Sequence, residues 1–100
     1  MRSARSAKNL TKKRKNFEEE KISYLSKELR DIIEKLSNFE WNIKIGILRR
    51  FHRIGKGEMA VKCQTHNSTY SDWESGKRYP RYFNRILIAK ALKVQVKDIF

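Results

Sequence analysis

The side chains able to do chemistry in this chain are few, and most of them are cations. Cys63 stands alone, so neither an intrachain disulfide nor a thiolate-based zinc site can form. His52 and His66 are the only histidines, too few to complete a metal shell without scattered carboxylates. No nucleophile and base stand at a recognisable spacing, no glycine-rich loop is built to cradle a phosphate, and no carboxylate pair falls in an expected cleft. An enzyme is excluded for want of parts, and no catalytic residue, cofactor or metal is expected. What remains is charge: 24 Lys and Arg against 11 acids in 100 residues, a formal net charge of +13. A chain this basic meets polyanions.

The charge divides the chain into three parts. Residues 1–16 hold seven bases (Arg2, Arg5, Lys8, Lys12, Lys13, Arg14, Lys15) and no acid. Their only large apolar residue besides Met1 is Leu10, so a disordered basic arm is expected. Such an arm either tracks a phosphate backbone or minor groove, or is a solvated tail. Residues 17–40 reverse the balance, with four bases and seven acids. There Ile22, Leu25, Leu29, Ile32, Leu36 and Phe39 follow at spacings of 3, 4, 3, 4 and 3, the seam of a long amphipathic helix. Glu18 to Glu20 would favour the positive end of its dipole. The seam either folds back on the rest of the chain, pairs with its twin in a homodimer, or takes a protein partner. Residues 41–100 return to thirteen bases against four acids.

That last part reads as a compact all-α domain of five helices. Trp41, Ile45 and Leu48, with His52 a turn on, share one face of a first helix, which Ile54–Gly57 breaks. Glu58 to Cys63 makes a short second helix with Met59, Ala60 and Cys63 inward. A turn at Gln64–Asn67 leads to a third helix, about Asn67 to Glu74, with Tyr70 and Trp73 on its buried side. Gly76 ends it. A fourth helix runs from Arg81 or Tyr82 to Leu92 with Phe83, Ile86, Leu87, Ala89 and Leu92 as its apolar face, and Tyr82 is also expected in the core. Tyr79 is left open between core and sugar-phosphate packing. Val96, Ile99 and Phe100 close the core. No sustained alternation of period two argues for a strand. No apolar run approaches the roughly 20 residues of a membrane helix, so no membrane contact and a reduced, cytoplasmic setting are expected.

Two short helices joined by a tight turn are a helix-turn-helix. The run Lys56-x-Glu58-Met59-Ala60, with Tyr70-Ser71-x-Trp73-Glu74-x-Gly76-Lys77-x-x-Pro80 and the ending Ile88-Ala89-x-Ala91-Leu92-x-Val94, resembles the phage-repressor (Cro/CI, XRE-type) domain over residues 43–100. It departs from that pattern at Gln64, where the family carries glycine, and at Gly55–Gly57, where a Thr or Ser cap is usual. The resemblance implies that Arg49 pairs with Glu74 and that Asn67, Ser68, Ser71 and Asp72 face DNA bases. It implies phosphate contacts from Lys56, His66, Thr69, Lys77, Arg78 and Arg81. Asn67 suits an adenine edge and Asp72 the amino group of cytosine. The alternatives stay open that Asn67 and Ser68 only cap their helix, and that His66 is an idle surface residue.

The reading is a sequence-specific regulator of transcription, a repressor in character, binding double-stranded DNA as a dimer on an inverted repeat in a prokaryotic nucleoid or phage-infected cell. The alternative is an antitoxin or polymerase-associated module whose 17–40 helix binds a protein. No room is left for a separate small-molecule ligand domain. Generic RNA binding would need only the net charge.

Overall fold

A computed structural model describes residues 27–100, and every regular element among them is an α-helix. The chain divides into two units after Lys35. The described part of the first unit is helix α1, residues 27–35. The second unit carries α2 (Trp41–Phe51), α3 (Lys56–Lys62), α4 (Asn67–Glu74), α5 (Tyr82–Ala91) and α6 (Val96–Ile99). The five-helix domain expected from sequence is present. The basic arm 1–16, and Ile22 and Leu25 of the seam, lie outside the described residues.

The helix expected over 17–40 stops sooner, at residue 35. Ser37 and Asn38 compete for backbone hydrogen bonds and favour turns, and the Phe39 N–H donates to the Leu36 carbonyl at 2.9 Å to close one. Phe39 therefore leaves the seam and stands 48% exposed. Leu29 and Leu36 are buried in the single chain and Ile32 is half-buried.

α2, α3, α4 and α5 end in one way. The second residue past each helix is left-handed: Arg53 (φ 56°), Gln64 (φ 54°), Gly76 (φ 82°) and Lys93 (φ 59°). Each donates its N–H three residues back, at 3.0 to 3.2 Å, to Arg50, Val61, Trp73 and Lys90 respectively. The next residue donates five back, at 2.9 to 3.1 Å, to Arg49, Ala60, Asp72 and Ala89. This Schellman closure satisfies carbonyls that a helix end leaves open. Only α4 spends a glycine on it.

The core of the second unit is Ile45, Leu48, Met59, Ala60, Cys63, Tyr70, Trp73, Ile88, Ala89, Leu92 and Ile99, with Pro80 enclosed beside them. Ala60, Tyr70 and Trp73 are almost fully covered, as their spacing suggested. α3 begins two residues earlier than expected, at Lys56, because extended Gly55 starts it and Gly57 is helical. The apolar face of α5 is corrected more sharply. Ile88 takes the central place, while Tyr82 and Phe83 are 69% and 62% exposed and Ile86 lies at the surface. Buried Pro80, Ile88 and Leu92 fix the rotation of the helix and turn its first residues outward. Tyr79 is half exposed, yet it meets Trp41 edge-on at 5.2 Å and Phe100 at 5.8 Å.

Candidate nucleic-acid interface

α3 and α4 cross through the four residues Cys63–His66. Ala60, only 1% exposed, lets them approach, and Met59, Cys63, Tyr70 and Trp73 fill the wedge behind. Burial pushes the Cys63 thiol up to about 11, which makes it an inert packing group.

α4 is held by its far end. Arg49 of α2 donates Nε to Glu74 Oε2 and Nη2 to Oε1, both at 2.9 Å, and Nη1 to the Ile54 carbonyl at 2.9 Å. Both partners are nearly enclosed, with side-chain exposures of 12% and 10%. Burial, the largest single influence, would raise the Glu74 carboxyl; the hydrogen bonds and charge of Arg49, with the nearby Tyr70 hydroxyl and the charge of Lys56, together outweigh it and hold the group below the usual carboxylate range. Gly46 makes the approach possible, since a β-carbon there would stand 3.1 Å from Glu74 Oε1. Asn42 Nδ2 donates to the Glu74 carbonyl at 3.3 Å. The enclosed Tyr70 hydroxyl lies beside this pair without meeting hydrogen-bond geometry.

The near end of α4 is bare. Its N-cap is His66 in an extended conformation, with no side-chain cap. Asn67 and Ser68 are therefore not caps; they occupy the first turn, and with His66 they are exposed. Thr69, Ser71 and Asp72 are half-buried further along. The Asp72 carbonyl receives the N–H groups of Lys77 at 2.9 Å and Arg78 at 3.3 Å, so the loop after α4 is tied to the helix it follows.

Two clefts flank α4. One, about 320 Å³, is lined by Asn42, Gly46, Arg50, Lys56, Ser71 and Glu74 among others. The second, about 440 Å³, is lined by Thr69, Trp73, Arg78, Tyr79, Arg81 and Asn84. The expected site residues are thus divided: Lys56 and Ser71 on one side of α4, Thr69, Arg78 and Arg81 on the other. His66, Asn67 and Ser68 stand at its exposed start, and Lys77 is exposed in the loop. Asp72 and Lys77 line neither cleft. Sequence reasoning missed Arg50 and Asn84. Arg50 was overshadowed by its neighbour Arg49, although its place one turn after Gly46 would have put it on this face. Arg85 is committed elsewhere: Nη1 donates to the Pro80 carbonyl at 2.8 Å, and its guanidinium lies over the rings of Tyr79 and Tyr82 at 5.1 and 5.6 Å.

A short helix anchored behind a partner helix, with a polar first turn turned outward and cations on both flanks, is a helix-turn-helix domain. Residues 56–99 match the helix-turn-helix family model, and this segment is a helix-turn-helix domain, consistent with the Cro/CI, XRE type that the sequence resembles. It is a DNA-binding regulator domain. No curated protein and no solved structure matches the chain.

Proposed function

We propose that the protein is a sequence-specific regulator of transcription that binds double-stranded DNA, as a repressor, in the compartment that holds the DNA. The observation that carries this reading is the placement of Lys56 and Arg50 on one side of α4 and of Arg78 and Arg81 on the other. A helix in a major groove has a phosphate strand on each side, and this arrangement offers cations to both. Asn67 and Ser68 at the exposed start of α4 read base edges, with Ser71 and Asp72 a turn further on. Lys56, His66, Thr69, Lys77, Arg78 and Arg81 hold the backbone.

An eight-residue helix spans few base pairs, so the protein acts as a homodimer on an inverted repeat, with half-site centres about 34 Å apart. Selection from randomised duplex DNA tests the whole reading. An inverted repeat preferred at least 10³-fold over scrambled DNA is expected; enrichment of a single half-site sinks the dimer, and no enrichment sinks sequence-specific recognition. On the selected site, Asn67→Ala is expected to cost about 1–3 kcal/mol of binding and to relax preference at one A·T pair. A uniform loss across all sequences would demote Asn67 to a backbone contact.

A further inference from the structure

Arg78 and Arg81 line one cleft beside α4, and only Tyr79 and Pro80 separate them along the chain. Arg85 holds both of those residues. Its Nη1 donates to the Pro80 carbonyl at 2.8 Å, and its guanidinium lies 5.1 Å from the centre of the Tyr79 ring. The Tyr82 ring lies 5.6 Å from the same group. Arg85 therefore touches both chain neighbours of Arg81 and the residue that follows Arg78. It is itself half-buried and lines neither cleft.

From Ser75 to Lys93 the chain carries no acid. Lys77, Arg78 and Arg81 repel one another, and no carboxylate in that run gathers them. A loop left free to spread must be ordered when it meets a phosphate, which weakens binding. Tyr79 already meets Trp41 and Phe100, and buried Pro80 is fixed in the core. Arg85 ties these two fixed points to α5. A planar guanidinium can lie over two rings while donating to a carbonyl; the point charge of a lysine cannot do both.

We propose that Arg85 is a positioning residue for DNA binding, which presets Arg78 and Arg81 for the phosphate backbone through Tyr79, Pro80 and Tyr82. This role rests on the proposed DNA reading, and Arg85 touches no phosphate in it. The test is a double-mutant cycle in the full chain on the selected duplex, well below each variant's melting temperature. Arg85→Lys, which keeps the charge, is expected to weaken binding about fivefold, and Arg85→Gln no more than about twice as much again. Arg78→Ala alone is expected to weaken it about tenfold. In the Arg85→Lys background the same Arg78→Ala change should cost no more than about threefold, because Arg78 is no longer preset.

Wild-type affinity in Arg85→Lys with weak binding in Arg85→Gln would make Arg85 a phosphate contact. Losses from Arg85→Lys and Arg78→Ala that multiply independently would make it a packing residue only. Loss of a dimer on sedimentation of Arg85→Lys would place its effect in the pairing of two copies. Each of these results overturns the proposal and leaves the DNA reading standing. A wild-type chain that binds no duplex overturns both.

Discussion

Arg49 and Glu74 meet through two hydrogen bonds of 2.9 Å with little water around them. Removing one member strands the other charge, so Glu74→Ala is expected to cost about 3–5 kcal/mol in urea denaturation. A loss below about 1 kcal/mol would mean that water already reaches the pair. Acid acts on the same pair and on His52, whose Nε2 bonds the Leu92 carbonyl at 2.7 Å. Burial, with a push from Lys93, holds His52 below the ordinary imidazole range despite that bond. Both His52 and Glu74 are depressed in the folded state, so the unfolded chain takes up protons first and stability is lost as pH falls. His52 contributes its loss below about pH 6.5 and Glu74 below about pH 4.3. Melting temperature should fall in two steps, and His52→Gln should remove the upper step alone. Persistence of that step in the variant would place it on another group.

Among the helices, the shared closure of α2, α3, α4 and α5 gives the next expectation. Three of its left-handed positions hold Arg53, Gln64 and Lys93, whose side chains crowd the backbone in that conformation. Replacing each by glycine is expected to stabilise the protein by about 0.5–1 kcal/mol, additively, because the positions lie in separate turns. A destabilisation on urea titration would show that the replaced side chain packs more than its backbone strains. Gln64 sits where the family has glycine, and its φ of 54° keeps the turn geometry regardless. The turn was thus legible from Gly76 alone and hidden at the other three ends, since Arg, Gln and Lys carry no local mark of a left-handed residue. Helix identity was legible wherever apolar residues recur every three or four positions, as with Tyr70 and Trp73. It failed for Phe39, which keeps the period but follows Ser37 and Asn38. It failed again for Phe83, because only packing against Pro80 and α3 decides which apolar side of α5 turns inward.

Over the whole chain the net charge of +13 sets the binding behaviour. A dimer making six to ten phosphate contacts should lose roughly 10³–10⁵-fold in DNA affinity between 50 and 200 mM salt. Arg78→Ala should lower the slope of log affinity against log salt by about 1 for each copy bound. An unchanged slope would remove Arg78 from the backbone contacts. The candidate site was legible in kind and partly in place. Lys56, Arg78 and Arg81 were found because the loop and helix start that carry them can be read along the chain. Arg50 joins them only through the packing of α2 on α4, and Asn84 only through the cleft it shares with Thr69 and Trp73, relations between distant segments that no local spacing records.

The anchoring of α4 through buried Tyr70 and Trp73 and the Glu74 carboxylate has a consequence for how such a protein changes over generations. Its holding residues run from Tyr70 to Glu74, while His66, Asn67 and Ser68 at its exposed start support no core. On the proposed reading this is the edge that meets DNA, and it can be rewritten without refolding the part that is held. New target sequences then become accessible, on that reading, by drift at three exposed positions, each step leaving a folded protein behind it.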